Sequence, residues 1–277
     1  HKLALITIIL AMRILQTKRL DHLGLVMGTL KEFNIINFID KRLSNPQKHN
    51  ITTGEAVAAM IINGLGFVSK PLSLTPQFFE TKPLDLLFGR PIQAEELNRH
   101  RLGRALDELH QYGCELLFSQ IATHLCSQIN LDYSFTSLDT TSFTLSGAYQ
   151  QDTDEYEIKL THGYSKDHRP DLKQAMLELV TSQDGGIPLM MRCLDGNASD
   201  SKVFQTRCQH LLESFKQSEG PRYLVADSKL YHQDNKNNLA HIKFITRIPK
   251  TYQEEGKAIQ ASIASREWIA IDEQNKY

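Results

Sequence analysis

The 277-residue sequence predicts an α+β chain with α/β alternation toward its end: a helical N-terminal domain, then a mixed sheet with helices on its faces. Three observations predict it. Apolar residues recur at helical spacing through residues 20–128. From Leu131 the apolar runs become short and rich in β-branched or aromatic residues. After an antiparallel opening, strand-like and helix-like runs alternate.

Each element has a local reason. Leu20, Leu23, Val26, Met27 and Leu30 mark a first helix, and Phe33, Ile35, Ile36, Phe38 and Ile39 a second, with a break at Asn34. Thr52-Thr53-Gly54-Glu55 fits a capping box, with Thr52 at the cap and Glu55 reaching back. Val57, Met60, Ile61 and Leu65 are expected to line one face of that helix, which ends at Gly64 and Gly66. Pro71, Pro76 and Pro83 leave residues 69–90 as loop with short helical turns. Helix resumes near Ala94 and carries its period through Leu102, Leu109, Leu117 and Leu125 to about Gln128. This block reads as a helical bundle or as a helix-turn-helix DNA reader.

In the second half, strands are expected at residues 135–138, 157–161, 175–182, 187–193, 223–226 and 244–248. Gln183-Asp184-Gly185-Gly186 is a hairpin turn. Helices are expected over 203–215, capped by Ser199 or Asp200, and over 235–241.

Composition narrows the class. With 41% hydrophobic and 23% charged residues the chain reads as globular, not disordered. A net charge of −1 gives no bulk bias toward nucleic acid, although basic residues can still cluster on one face. Cys114, Cys126, Cys193 and Cys208 are far apart, without zinc spacing, and read as reduced thiols. The apolar run at residues 3–12 is too short for a bilayer span, which needs about 20 residues. A start at His1 rather than Met reads as a fragment or a processed product, with residues 1–19 an N-terminal extension.

The chemistry concentrates in three stretches. Asp139 follows Ser137-Leu138 and precedes Thr140-Thr141-Ser142; Asp227 follows Leu224-Val225-Ala226. Each is a lone carboxylate closing an apolar, strand-like run. Such an acid costs free energy unless it is paired, hydrogen-bonded or metal-bound. Either could simply cap a following turn. Side by side, the two suit Mg2+ or Mn2+. A second stretch, residues 161–174, is dense in donors, with Lys166, His168, Arg169 and Lys173. It reads as a phosphate-contacting loop or as a solvated connection. The third, Asp195-Gly196-Asn197-Ala198-Ser199-Asp200, lacks EF-hand spacing and reads as a turn plus helix cap.

In this order, Leu138-Asp139-Thr140-Thr141-Ser142-Phe143, the run from His162-Gly163-Tyr164 through Arg169-Pro170-Asp171-Leu172-Lys173-Gln174, Asp195-Gly196-Asn197 and Ala226-Asp227-Ser228 resemble DDE transposases of bacterial insertion sequences. So do Thr53-Gly54-Glu55-Ala56-Val57 and Asn63-Gly64-Leu65-Gly66-Phe67-Val68 in the first half. The resemblance implies an RNase H-like core over 129–277 whose first and fourth strands are neighbours. It makes Asp139 and Asp227 the first two catalytic acids and metal ligands, with Mg2+ or Mn2+ as cofactor. It also implies a DNA-end-binding domain over 20–128. The partners it implies are the element's terminal inverted repeats and target DNA, with a homodimer, no membrane, and a cytoplasmic, nucleoid-associated location. The family's third acid, a Glu on a helix beyond an inserted β segment, is expected to be missing: Glu254, Glu255, Glu267 and Glu273 fall where the insertion should begin. The chain therefore reads as an incomplete, inactive copy, or as a non-catalytic DNA-binding product that competes with intact enzyme.

Overall fold

The computed structural model describes residues 17–43, 50–132, 134–149, 158–163, 168–198, 223–226, 243–248 and 253–266. The apolar run at 3–12 and the helices expected at 203–215 and 235–241 lie outside them. Among the described residues no helix is long and apolar enough to cross a membrane. The chain divides into two compact units, His1–Ile121 and Ala122–Tyr277.

The first unit is helical. It comprises α1 (Leu23–Glu32), α2 (Ile35–Arg42), α3 (Thr53–Leu65), α4 (Thr75–Glu80), α5 (Leu84–Phe88) and α6 (Arg99–Tyr112), with 3-10 turns at Leu72–Leu74 and Ala94–Leu97. A further helix, α7 (Cys114–Cys126), begins in it. Asn34 separates α1 from α2 by taking the left-handed conformation at φ 54°, which Asn tolerates better than most residues. The single helix expected from Ala94 to Gln128 is instead three pieces. Asn98 caps α6 by accepting from the His100 and Arg101 N–H groups, both at 3.1 Å. Gly113, at φ 101°, then breaks the chain before α7. Apolar periodicity runs through such a break because it does not register a single residue with positive φ.

The core gathers Leu23, Met27, Ile51, Ala56, Ala59, Ile62, Phe79, Leu87, Leu97, Leu102 and Ala105. Here the expected face of α3 needs correction. Ala56, Ala58, Ala59, Ile62 and Asn63 are buried, while Val57, Met60 and Ile61 are only half-buried and Leu65 is exposed. Small residues select the buried side because they let helices approach closely. Gly54 is the extreme case: a Cβ there would lie 2.3 Å from the Ile36 carbonyl oxygen, and its N–H donates to Asp40 Oδ1 at 2.6 Å.

Polar groups fasten the start of α3. The capping box is formed as expected: Glu55 N–H donates to Thr52 Oγ1 at 3.1 Å, and Thr52 N–H donates to Glu55 Oε2 at 2.8 Å. The same carboxylate accepts from Arg90 Nε at 2.6 Å and Nη2 at 2.7 Å. Burial pushes the Glu55 carboxyl up, but the Arg90 hydrogen bonds, the Thr52 N–H and the Arg90 charge outweigh it and hold it below its ordinary 4.5. Arg101, buried, donates to the Ile51 carbonyl at 2.8 Å and to Thr53 Oγ1 at 2.9 Å, with Glu108 3.6 Å away. The Thr53 hydroxyl donates in turn to Glu108.

The second unit is built on a five-stranded sheet of β1 (Phe135–Leu145), β2 (Lys173–Ser182), β3 (Pro188–Leu194), β4 (Tyr223–Ala226) and β5 (Phe244–Thr246), in the order β3-β2-β1-β4-β5. β1, β2 and β3 are antiparallel, whereas β1, β4 and β5 run parallel. That order with that change of direction is the RNase H-like arrangement. The β2–β3 hairpin turns at Gly185 and Gly186, with φ of 68° and 62°, a conformation glycine adopts without steric cost. Along β2 every second residue, from Gln174 to Ser182, is buried. Leu138, Met176, Val180, Leu189, Leu194 and Leu224 are the buried apolar residues of the sheet.

The strand expected at 157–161 is not formed among the described residues 158–161, apart from a bridge between Thr161 and Gln174. This segment is instead clasped between two others. Lys159 N–H donates to Asp195 Oδ1 at 2.8 Å, and Gly196 N–H donates to the Lys159 carbonyl at 2.9 Å. Gln174, 1% exposed, donates from Nε2 to the Gly196 carbonyl at 2.7 Å. A Cβ on Gly196 would lie 1.9 Å from the Gln174 carbonyl oxygen, and one on Gly163 would lie 2.1 Å from the Gly196 carbonyl oxygen. Another helix, α8 (Gln253–Ser265), has no buried residue.

Two predictions follow from these contacts. Glu55→Gln should cost about 2 kcal/mol in a denaturant titration, through loss of the cap and of the charged Arg90 partner. Because the folded carboxyl lies below its unfolded value, its stabilisation is complete above about pH 4.5 and lost as pH falls through the folded value. The wild-type melting temperature should therefore drop more steeply below pH 4.5 than that of Glu55→Gln. Gly196→Ala must displace backbone and should cost about 1–3 kcal/mol or more; an unchanged melt would show that the clasp yields freely.

Candidate active site

The sheet decides where Asp139 goes. β1 continues seven residues past Leu138 on its β2 side, with Asp139 opposite Leu179 and Leu145 opposite Lys173. On its β4 side the pairing runs from Phe135 opposite Tyr223 to Leu138 opposite Ala226. Asp139 is thus in mid-strand, not at a strand end as expected, one residue past the last parallel pair among the described residues. The long partner β2 explains the difference, because it holds the hydroxyl-rich run Thr140-Thr141-Ser142 in extended form.

Strand alternation sets the environment of the acid. Thr136 and Leu138 are buried, so Asp139 projects to the other side with Ser137 and Thr141, and is exposed. No burial penalty then needs offsetting, contrary to the expectation of a buried acid. One carboxylate oxygen, Oδ1, accepts from the Thr140 N–H at 2.7 Å. Asp227 is the next residue in the chain after Ala226 and lies outside the described residues. Packing fixes the start of the β1–β4 pair: the Phe135 and Tyr223 rings stack at 5.0 Å and 14°, with Lys243 Nζ 5.5 Å from the Tyr223 ring.

The basic loop divides. Lys166 lies outside the described residues. His168 is exposed at φ 56°. The Leu172 N–H donates to the Arg169 carbonyl at 3.1 Å and closes a turn with Pro170 at its second position. That turn folds Arg169 onto Asp171 as a two-bonded fork, Nε at 2.8 Å and Nη2 at 2.7 Å. The Arg169 hydrogen bond draws the Asp171 carboxyl down to about 2, so the pair stays ionised through the neutral range. Lys173 Nζ donates to the Ala148 and Tyr149 carbonyls at 3.2 and 2.6 Å. Arg169 and Lys173 therefore carry partners from the chain itself, a competition that donor density in the sequence does not reveal.

The third stretch is a turn, with Ala198 N–H donating to the Asp195 carbonyl at 3.0 Å; the cap expected at Ser199 or Asp200 lies outside the described residues. Sequence reasoning missed its second role, as one half of the clasp around Gly163 and Gln174. The pairing of two glycines with a buried Gln was the available signal. Near the chain's end, Glu254 and Glu255 occupy the first turn of α8 rather than the start of a β segment; Glu267 and Glu273 lie outside the described residues. Among the described residues, no three His, Cys, Asp or Glu side chains gather where an ion could be held.

Comparison with known proteins completes the assignment. Residues 15–123 match a domain of unknown function, DUF4277, and residues 130–274 match the transposase DDE domain. No curated protein matches the chain. Among solved structures, the Mos1 transposase paired-end complex with the left transposon end is 12% identical, over 85% of this chain and 83% of that one, with a TM-score of 0.28. The Mos1 strand transfer complex is also 12% identical, over 86% and 82%, with a TM-score of 0.28. Family membership rests on the sequence match and not on these structures. With more than half of its length matched, including the strand that carries Asp139, the chain belongs to the transposase DDE domain family.

Proposed function

We propose that this chain is the transposase of a bacterial insertion sequence. In this reading Asp139 and Asp227 hold divalent metal for cleavage and transfer of DNA strands at the element's ends. The observation that carries the reading is the parallel register of β1 and β4. It brings the chain at Ala226 level with Leu138, one residue short of Asp139. The next Cα after Ala226 lies about 3.8 Å along the chain, and this register supports a pairing of the two acids.

The donors suit the ion. Asp139 offers a hard carboxylate on an exposed side of the sheet, fixed in orientation by the Thr140 N–H. A pair of carboxylate ligands favours Mg2+ or Mn2+ over zinc. A bound ion pair supplies activation of a water or 3′-hydroxyl and charge relief at the leaving oxygen. The chain's own part is to orient the carboxylates and to offer Lys166, His168, Arg169 and Lys173 to the phosphates, Arg169 and Lys173 by exchanging their partners within the chain. At a net charge of −1 the DNA affinity should be modest and strongly salt-dependent. Pairing two ends of one element makes a homodimer the natural working unit, and the helical unit is the candidate reader of those ends. The third acid is not assigned to any residue of this chain.

Metal mapping tests the site independently of turnover. With Fe2+ in place of Mg2+, hydroxyl-radical scission of the polypeptide should occur near residues 139 and 227. It should fade in Asp139→Asn and Asp227→Asn; scission unchanged in both variants would refute the metal site. Strand cleavage of terminal-repeat DNA in Mn2+, by this chain or by a relative with the full acid set, should fall at least about 100-fold in either variant. Asp171→Asn should release Arg169 for phosphate contact and steepen the salt dependence of DNA binding by about one unit of slope. An unaltered slope would remove Arg169 from the interface.

A further inference from the structure

Within the helical unit, a pocket of about 380 Å³ is lined by Arg19, Phe67, Lys70, Phe78, Lys82 and Asp21, among others. Its lip is anomalous: Phe67 is 82% exposed and Val68 67%, beside an exposed Leu65. Large apolar side chains turned outward in sequence mark a contact surface more often than a packing failure.

The loop that carries them is firmly held. The Asn63 side chain donates to the Lys70 carbonyl at 2.7 Å and accepts from the Lys70 N–H at 2.9 Å. His22 Nε2 lies 2.7 Å from the Leu65 carbonyl oxygen, and its ring meets Phe67 edge-on at 4.6 Å. Gly66 packs so closely on Phe78 that a Cβ would lie 2.7 Å from the ring. The other walls are pinned too. Arg19 N–H donates to the Thr81 carbonyl at 2.9 Å, and Lys82 Nζ donates to Asp21 Oδ2 at 2.8 Å. With Lys82 and Asp21 neutralising each other, Arg19 and Lys70 leave the pocket a net positive charge.

From this geometry we propose that the pocket receives one unstacked nucleotide of a DNA strand, its base against Phe67 and its phosphate between Arg19 and Lys70. The inference deepens the DNA-binding reading above and rests on it. An exposed aromatic face with flanking cations is the combination that binds single-stranded nucleic acid, because every base offers a π-face and every nucleotide a phosphate. The volume, at the small end of the roughly 300–1,000 Å³ of ligand sites, suits one nucleotide rather than a peptide segment. Because the walls are already fixed, little ordering cost opposes entry.

The test uses the full chain and a duplex with a short single-stranded tail bearing 2-aminopurine. The tail should bind more tightly than the blunt duplex and its fluorescence should change on binding. Phe67→Ala, at an exposed position, should keep its melting temperature yet weaken tail binding at least about fivefold, as expected for one lost stack. Lys70→Gln should lower the slope of log affinity against log salt by about one. Tailed and blunt DNA bound equally, with Phe67→Ala without effect, would overturn the pocket while leaving DNA binding intact. A change of oligomeric state in Phe67→Ala at unchanged DNA affinity would give the patch to a second copy of the chain and overturn it as well. No DNA binding by the wild type would overturn both readings.

Discussion

The parallel pairing of β1 with β4 is the constraint on which the rest of the second unit depends. Phe135 on Tyr223, Thr136 beside Leu224 and Leu138 beside Ala226 fix a register of four residues. A slip of one residue would turn Asp139 inward and Leu138 outward, because side chains alternate across the sheet. The burial of Thr136, Leu138 and Leu224 opposes that slip. An exposed acid is thus positioned by its buried neighbours, and its own hydrogen bond to the Thr140 N–H only sets the orientation of its carboxylate.

The helical unit solves a different problem. Its central helix begins among buried polar groups that bond to one another and to the backbone. Glu55 serves both the cap and Arg90, while Arg101 serves the Ile51 carbonyl and Thr53. Charges buried with several hydrogen bonds define one arrangement more sharply than apolar contact does, since any shift leaves a donor without its acceptor. The same economy holds the loop at residues 64–70, where one Asn side chain closes the backbone.

Much of this was legible in the sequence. The capping box at Thr52 and Glu55, the stop at Asn34, the glycine turn after Ser182 and the strand at Tyr223–Ala226 are all local, and local chemistry announces them. The order of the motifs pointed to the family before any fold was seen. What the sequence hid was relational. The buried side of α3 followed from residue size rather than hydrophobicity, so Ala59 went inside and Leu65 outside. The break at Gly113 depended on one backbone angle. Asp139 looked like a strand end because the length of β1 was set by β2, a partner distant in the chain. Arg169 looked available because its pairing with Asp171 depends on a turn at Pro170.

The register of β1 also has a kinetic consequence. Its antiparallel side is closed by β2, whose own hairpin to β3 is local, whereas its parallel side waits for β4, made much later in the chain. Closing a longer loop costs more entropy, and parallel pairings are intrinsically slow to form. The sheet is therefore assembled from one flank first, and the parallel flank of β4 and β5 is sealed last. A nascent chain of this kind holds its helical unit and the antiparallel flank of its sheet before the parallel flank can close.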